Sequence, residues 1–233
     1  MERSLVHLGI IMDGNRRWAK KQGLSFGDGY AQGGFDAVKR TVEFCLDRGI
    51  KHLSLYTFSL ENLKRPQAEQ NFLFDTIVTK GTAAIDLFKE HQVRVFFVGD
   101  RSVFPDRVRS VCETIENETK DFSRIFVHIL FCYGGRQELV AGYKLLAQKI
   151  KNGDLQPEDI TEKVINDVLW TANIPDPELI VRTSGVSRLS NFLLFKSAYS
   201  ELCFLDCLWP EITRDDLEYA VNQYYKVARN FGV

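Results

Sequence analysis

The cysteines of this chain are few and scattered, which excludes the commonest cysteine-based architectures. There are five, an odd number, and no Cys-x-x-Cys pair occurs among Cys45, Cys112, Cys132, Cys203 and Cys207. A disulfide framework needs paired cysteines, and a structural zinc site needs closely spaced ones. The sequence therefore predicts neither, and a reducing cytoplasm is the compartment that suits it.

The chain also lacks an excess of charge of either sign. It carries 30 Lys and Arg against 31 Asp and Glu, for a net charge of -1. Domains that bind nucleic acid usually show a marked basic excess, because they neutralise many phosphates. The sequence thus argues against a nucleic-acid partner, and any polyanion site must arise from local clusters of Arg and Lys.

Long hydrophobic runs are absent as well. No stretch of 18 apolar residues occurs, so no membrane-spanning helix is predicted. The apolar residues of segment 5–12 are too few and too interrupted for a secretory signal. We expect a cytoplasmic protein, and peripheral contact with a membrane surface stays open.

What the sequence does contain is an alternation of apolar runs and helical patterns. The predicted strands are Val6–Met12, His52–Phe58, Val93–Val98, Phe126–Tyr133, Leu179–Arg182 and Leu202–Phe204. The predicted helices are Ala31–Arg48, Ala68–His91, Pro105–Thr119, Gly134–Lys151, Thr161–Trp170 and Thr213–Phe231. Such alternation is typical of βα units. With no repeat and no long linker, residues 1–233 are predicted to form one α/β domain, a mainly parallel sheet of about six strands covered by helices.

Polar residues follow three of the predicted strands. The segments are Asp13–Arg17, Ser59–Arg65 and Arg182–Ser190. In open parallel sheets, ligands bind beyond the carboxyl ends of the strands. We therefore expect the chemistry of this protein to lie in these three segments.

The first segment combines a carboxylate, a glycine and two arginines. Arg16 and Arg17 can grip phosphate oxygens, and Gly14 lets the backbone approach a ligand closely. Asp13 would repel a diphosphate unless a hard cation such as Mg²⁺ bridged the two. A simple turn with a solvated arginine pair explains the pattern about as well.

The other two segments differ in how strongly they indicate a site. Phe58–Pro66 mixes an aromatic ring with hydroxyl, amide and cationic groups, which suits a ligand with an oily tail and a charged head, but a polar loop is the simpler interpretation. In Arg182–Asn191, two arginines and several hydroxyls crowd a glycine-containing loop, and this density of donors favours a phosphate cradle. Glu201, alone before a strand, indicates nothing by itself.

Two other patterns are weaker. Gly27, Gly29 and Gly33 lack the spacing of the dinucleotide fingerprint and do not follow a strand, which makes a nucleotide-binding oxidoreductase a remote alternative. The acidic run at Asp215 and Asp216 lies directly behind Thr213, and we interpret it as a helix cap.

Taken together, the segments resemble the cis-prenyltransferase family, which includes the undecaprenyl diphosphate synthases. The resemblance rests on blocks in the family order and at the family spacing over nearly the whole chain: His7–Ala19, Leu55–Pro66, Tyr133–Arg136, Arg182–Gly185, Arg188–Leu194, and Glu201 with Leu208–Pro210. It implies a Mg²⁺-dependent homodimeric enzyme with a hydrophobic tunnel beside the sheet. Such an enzyme condenses isopentenyl diphosphate onto an allylic diphosphate, such as farnesyl or geranyl diphosphate. The product would be a long polyprenyl diphosphate, the undecaprenyl lipid carrier of bacterial cell-wall synthesis.

The resemblance also implies roles for individual residues. Asp13 and Asn62 would be catalytic, and Asp13 and Glu201 would hold the metal. The allylic substrate would be bound by Gly14, Asn15, Arg16, Arg17, Trp18, Phe26, Tyr30 and Phe58, and isopentenyl diphosphate by Arg182, Arg188, Leu189 and Ser190. The space between the substrates would be organised by Ser59, Asn62, Arg65 and Glu69, and the substrate-binding residues would also include Leu60, Glu61 and Leu63. A non-catalytic partner subunit that only binds prenyl diphosphates is the alternative.

Overall fold

The computed structural model describes residues 4–25, 27 and 34–227. Its strands are β1 (His7–Ile11), β2 (His52–Ser59), β3 (Val93–Val98), β4 (Ile125–Tyr133), β5 (Leu179–Arg182) and β6 (Glu201–Phe204). They form one six-stranded sheet in the order β3-β4-β2-β1-β5-β6, and every neighbouring pair is parallel. The predicted six-stranded parallel sheet is therefore confirmed.

The register of the sheet brings the three polar segments to one edge. β1 lies between β2 and β5, with Ile11 opposite both Tyr56 and Arg182. The segments that leave β1, β2 and β5 at their carboxyl ends are therefore neighbours. This is the edge at which a ligand of a parallel sheet is expected.

Helices cover the sheet, at bounds that mostly match the sequence patterns. They are α1 (Asn15–Lys21), α2 (Phe35–Asp47), α3 (Gln67–Ala83), α4 (Ile85–Glu90), α5 (Asp106–Thr119), α6 (Gly135–Asn152), α7 (Glu162–Asn166) and α8 (Arg214–Lys226). A short 3₁₀ helix, Leu60–Lys64, follows β2. Within the described ranges, no helix is both long and apolar enough to cross a membrane.

Some predicted helix bounds were wrong. The long helix expected over Ala68–His91 is two helices, α3 and α4, that meet at the buried Ala84. Gly81 and the residue after it are weak helix formers, so local propensity does not oppose this break. Pro105 precedes α5 instead of occupying its first turn, and α7 ends at Asn166, short of the expected end at Trp170.

The cap predicted at the start of the last helix is confirmed. The Thr213 hydroxyl accepts a hydrogen bond from the Asp216 N–H at 3.2 Å, and the Asp216 carboxylate accepts one from the Thr213 N–H at 2.8 Å. This reciprocal arrangement satisfies two amide groups that the helix itself leaves unpaired. The acidic run therefore caps α8, as the sequence indicated.

The two faces of the sheet carry separate cores. On one face, α2, α3, α5 and α8 pack against the strands and form the larger core. Four phenylalanines meet there with ring centroids 5.0–5.8 Å apart: Phe58, Phe74, Phe104 and Phe131. On the other face, a smaller cluster includes Tyr133, Phe192 and Leu193.

Candidate active site

A polar pocket lies beyond the carboxyl ends of β1, β2 and β5. It has a volume of about 510 Å³ and is partly open to solvent. The residues that line it come from all three polar segments and from the strands behind them: Ile11, Met12, Asp13, Gly14, Asn15, Arg16, Arg17, Tyr56, Thr57, Ser59, Asn62, Arg65, Arg182 and Ser190. Four of these are arginines, so the pocket offers concentrated positive charge in a protein that is nearly neutral overall.

Asp13 supplies the carboxylate of this pocket. Thr183, the residue after β5, holds its backbone in place through two hydrogen bonds. The Asp13 N–H donates to the Thr183 hydroxyl at 3.0 Å, and that hydroxyl donates to the Asp13 carbonyl at 2.6 Å. The carboxylate accepts a hydrogen bond of 2.7 Å from Arg182, with Arg17 at 3.8 Å. Burial alone would raise the pKa of Asp13, but the hydrogen bond and charge of Arg182 outweigh it and lower the pKa. Asp13 is therefore ionised at neutral pH.

Both the backbone conformation and the available space require glycine at position 14. Its φ of 108° is left-handed, and a Cβ there would lie 2.9 Å from the side chain and 3.1 Å from the Cα of Leu208. The segment behind it is fixed as well, because the Trp209 N–H donates to the Asp13 carbonyl at 3.0 Å. A side chain at position 14 would push α1 and its arginines away from this packing.

Arg182 is a buried cation at the end of β5. Its side chain is 5% exposed, and its guanidinium donates to Asp13, to the Ser190 hydroxyl at 2.7 Å and to the Arg188 carbonyl. One nitrogen, Nε, has no hydrogen-bond partner among the residues that the structure describes. A buried Arg is stable only when it is paired, so the loop that returns from Arg188 to Ser190 is fixed by the charge it surrounds.

Several buried polar atoms in or beside the pocket have no hydrogen-bond partner within the described part of the chain. They are Asn15 Oδ1, Arg65 Nη1, Glu69 Oε2, Arg182 Nε and Ser184 Oγ. Buried polar groups are nearly always satisfied, so such a cluster needs an explanation. A ligand with acceptor oxygens would supply partners for the donors among them, Arg65 Nη1 and Arg182 Nε.

An apolar cavity of about 150 Å³, also partly open, adjoins the polar pocket between the sheet and α3. The face of α3 that lines it carries Leu73, Thr76, Ile77, Lys80 and Gly81, and the sheet contributes Leu55, Phe58, Phe97, Ile129 and Phe131. Met12, Asn15 and Thr57 line both spaces. The two spaces therefore meet at the end of β1. Together they form one site with a charged outer part and an apolar interior.

Comparison with known proteins agrees with this geometry. A family model described as "Putative undecaprenyl diphosphate synthase" matches residues 11–232. The chain belongs to this family.

Its relatives in the family span nearly all of the chain. An undecaprenyl-diphosphate synthase of Methanopyrus kandleri, described as geranylgeranyl-diphosphate specific, is 42% identical over 97% of this chain and 84% of its own length. An isoprenyl transferase of Thermotoga maritima is 41% identical over 97% and 96%. The crystal structure of lavandulyl diphosphate synthase from Lavandula x intermedia, in complex with dimethylallyl diphosphate, superposes with a TM-score of 0.94 at 29% identity, over 99% of both chains.

The pocket of this family member gathers about half of the residues predicted from the sequence. Ten line it: Asp13, Gly14, Asn15, Arg16, Arg17, Ser59, Asn62, Arg65, Arg182 and Ser190. Phe58 lines the apolar cavity, Leu60 and Leu63 pack on the larger core, and Leu189 packs on the smaller one. Trp18 is half-buried on α1, Arg188 is exposed, and Glu69 pairs with Arg16 at 3.4 Å. Phe26 and Tyr30 lie outside the described residues.

Glu201 lies at the far end of a short strand from Asp13. It opens β6 opposite Leu179, whereas the pocket residue Arg182 pairs with the last residue of β6. Three residues of strand correspond to about 10 Å, so within one chain Glu201 is well separated from the Asp13 carboxylate. Among the described residues, no group of three or more His, Cys, Asp or Glu side chains could hold a metal ion.

Three polar residues of the site were missed in the sequence. Tyr56 and Thr57 line the pocket from within β2, and the Tyr56 hydroxyl donates to the Tyr133 carbonyl at 3.3 Å. Thr183, directly after β5, holds the backbone of Asp13. A signal was present for Tyr56 and Thr57, because polar side chains are unusual in strands covered on both faces. Thr183 belongs to the hydroxyl-rich segment that was predicted to bind phosphate, but it was not singled out there.

Proposed function

We propose that this protein condenses isopentenyl diphosphate in cis onto an allylic diphosphate and so builds a long polyprenyl diphosphate. The observation that carries the proposal is the junction at Met12, Asn15 and Thr57, where an arginine-rich pocket opens into an apolar cavity. A prenyl diphosphate has this same division into a charged head and a hydrocarbon tail. The product would belong to the undecaprenyl class of lipid carriers, made from a primer such as farnesyl or geranyl diphosphate.

The allylic diphosphate binds at the start of α1. Arg16 and Arg17 are more than half exposed, so their guanidinium groups can turn onto phosphate oxygens. Gly14 brings the backbone close to the ligand, and the buried Asn15 stands at the mouth of the cavity. The prenyl tail then runs past Phe58 into the apolar space, where it is shielded from water.

Isopentenyl diphosphate binds on the other side of Asp13, in the loop that follows β5. Arg182 supplies a buried charge, Ser190 a hydroxyl, and Arg188 an exposed side chain that can close over the ligand. Ser59, Asn62 and Arg65 face the same pocket from the end of β2. The two substrates thereby meet over Asp13.

Asp13 fits the requirements of a Mg²⁺ ligand. It is an ionised carboxylate among diphosphate-binding arginines, and Mg²⁺ in such sites is bound by one or two carboxylates together with phosphate oxygens. When bound, Mg²⁺ supplies positive charge that neutralises the departing diphosphate. Because Glu201 lies away from Asp13 within one chain, we propose that it joins such a site from a partner subunit.

The reaction follows from the arrangement of charge. The allylic C1–O bond breaks, its electron pair leaves with the diphosphate, and the arginines stabilise the charge that develops. The isopentenyl double bond attacks C1, and a proton is lost to give the new cis double bond. The Asn62 amide oxygen accepts a hydrogen bond from the Ser59 N–H at 3.2 Å, so its role is to orient substrate through the remaining NH₂ group. Because the pKa of Asp13 is lowered, a phosphate oxygen is the better proton acceptor.

A second copy of the chain would cover the β6 edge. This strand ends the sheet, and Leu202 and Tyr199 beside it are 46% and 71% exposed. Apolar side chains on an exposed sheet edge favour association with another protein surface, and a homodimer would bury them. The substitution Leu202→Glu should then yield a monomer in analytical ultracentrifugation, whereas a dimer that persists would exclude this edge as the dimer interface.

Contact with a membrane surface would follow from release of a hydrophobic product.

The decisive test is incorporation of labelled isopentenyl diphosphate by the purified chain with Mg²⁺ and farnesyl diphosphate. Products sized by mass spectrometry should form a series that grows in steps of one isoprene unit. Absence of product with retained binding of prenyl diphosphate would favour the non-catalytic alternative. Absence of both would refute the proposed function.

A further inference from the structure

A cluster of three side chains joins the strand-end loops on the outer side of the pocket. The Asn191 side-chain NH₂ group donates to the Glu61 carboxylate at 2.7 Å and to the Gln137 side-chain oxygen at 2.9 Å. The Gln137 NH₂ group donates to the same Glu61 oxygen at 3.3 Å. These residues come from the loop after β5, the 3₁₀ helix after β2 and the first turn of α6. We call this cluster the latch.

The side-chain oxygen and the backbone carbonyl of Asn191 also accept hydrogen bonds. Its side-chain oxygen accepts from the Arg136 N–H at 2.8 Å, and its backbone carbonyl accepts from the Gly135 N–H at 2.8 Å. One asparagine therefore satisfies two amide groups at the start of α6 while it holds Glu61. An amide is suited to this position because it donates and accepts at once.

The backbone of this loop is held in a costly conformation. Ser190, Asn191 and Leu193 have φ values of 50°, 69° and 42°, in the left-handed region that non-glycine residues rarely adopt. Such a conformation persists only where surrounding contacts enforce it. Ser190 is the residue whose hydroxyl accepts from Arg182, so its placement depends on these contacts.

Gly134 makes room for the latch. Its φ of -165° is open to any residue, yet a Cβ there would lie 2.4 Å from the Gln137 side-chain oxygen and 2.8 Å from the Asn191 side-chain nitrogen. A side chain at this position would therefore displace the ends of the Gln137 and Asn191 side chains from the latch. The residue that follows β4 therefore leaves space for the latch side chains.

We propose that Asn191, acting through Glu61 and Gln137, is a positioning residue that holds the Arg188–Asn191 loop so that Ser190 and Arg182 present their donors to the diphosphate of isopentenyl diphosphate. Glu61, on this proposal, contacts Asn191 and Gln137 instead of substrate. The inference rests on the proposed function, because it assigns the latch to the isopentenyl side of that site. The latch also connects the loop after β5 with the 3₁₀ helix after β2, because Glu61 directly precedes the pocket residue Asn62.

The test is a double-mutant cycle on Asn191 and Glu61. Asn191→Asp places a carboxylate against the Glu61 carboxylate, and we expect KM for isopentenyl diphosphate to rise about tenfold while KM for the allylic substrate changes less than about twofold. Glu61→Gln in that background restores a donor opposite Asp, so the double variant should recover most of the loss. The matched control is Asn152→Asp, which changes an exposed Gln148–Asn152 hydrogen bond near the end of α6.

The outcomes separate a positioning role from its rivals. If Glu61 bound substrate directly, the two substitutions would add without recovery. If the latch only stabilised the fold, Asn191→Asp would lower the melting temperature and leave both KM values unchanged, and either result overturns the proposal. Should Asn191→Asp not fold, Gln137→Ala, at an exposed position, must raise KM for isopentenyl diphosphate about threefold or the proposal fails. If the unsubstituted protein neither forms product nor binds prenyl diphosphate, it is the proposed function that is refuted.

Discussion

The Asp13 carboxylate and the Arg182 guanidinium are 2.7 Å apart, so the proposed metal ligand and the proposed isopentenyl diphosphate ligand neutralise each other's charge. The Arg182 side chain is 5% exposed and that of Asp13 is 32% exposed. Each charge would be costly without the other, which keeps the empty site folded. A diphosphate that takes over Arg182 would free the Asp13 carboxylate for a cation, and binding of the two would then be coupled.

Replacement of Asp13 should abolish turnover without abolishing the fold. We expect Asp13→Asn to lower kcat at least about a hundredfold, because a single group that stabilises developing charge commonly contributes that much. Asn keeps an oxygen that can accept from Arg182, so the variant should still bind prenyl diphosphate. The measurement is steady-state incorporation of labelled isopentenyl diphosphate, together with a thermal melt.

Asp167→Asn is the control for this variant. Asp167 forms an exposed ion pair with Lys163 next to α7, and its replacement should leave kcat unchanged. Near-normal product formation by Asp13→Asn would remove Asp13 from the reaction.

Replacement of Arg182 should act mainly on isopentenyl diphosphate. We expect Arg182→Ala to raise KM for this substrate by about tenfold to a hundredfold, since charge-assisted hydrogen bonds are lost. Arg17→Ala should instead raise KM for the allylic diphosphate, because Arg17 lies on α1. Initial rates over a grid of both substrate concentrations measure the two constants separately. A lowered kcat with unaltered KM for Arg182→Ala would contradict the assignment.

The sequence predicted the strand ends well and the contacts across strands poorly. Val93–Val98 and Leu179–Arg182 have the predicted bounds. Leu179–Arg182 is a buried run that ends at a polar residue, and Val93–Val98 is a mainly apolar run that Gly99 and Asp100 follow. The break at Ala84 was missed, since helical periodicity continues through it.

The site shows the same division between local and long-range information. Asp13 and Arg182 follow strands directly, so the strand-end rule located them. The roles of Thr183 and Asn191 depend on partners more than 50 positions away, at Asp13 and at Gln137. Local patterns carry no information on which residues such pairs join.

Acid should destabilise the fold through a buried histidine cluster. The rings of His7, His52 and His128 lie with centroids 5.4–6.0 Å apart, and burial lowers the pKa of His7 from 6.5 to about 3. Between those two values the unfolded chain binds a proton that the folded protein does not. Stability contributed by the neutral His7 is therefore present above pH 6.5 and declines as the pH falls toward 3, by about 1.4 kcal/mol per pH unit.

Urea unfolding at several pH values below neutrality measures this slope. His7→Gln should reduce the pH dependence of the free energy of unfolding, whatever it does to stability at neutral pH. His91→Gln, at the end of α4, is the matched control and should leave the slope intact. An equal slope in wild-type and His7→Gln protein would show that other groups cause the acid sensitivity.

The apolar cavity should limit the length of the product. It follows α3 from Leu73 to Gly81, which at the helical rise is about 12 Å, and the end at Gly81 is the one farther from the polar pocket. A Cβ at Gly81 would already lie 3.0 Å from the Ile115 side chain on α5. We expect Gly81→Leu to fill this end, so that products become shorter while the first condensations proceed at nearly the normal rate.

Thr79→Leu is the control, because it adds a similar apolar side chain to the same helix at an exposed position that does not line the cavity. Mass analysis of the products should show a shift to fewer isoprene units for Gly81→Leu alone. Products of unchanged length from a folded Gly81→Leu variant would mean that the growing chain does not reach this end of α3, and equal shortening in both variants would point to a general disturbance of the helix.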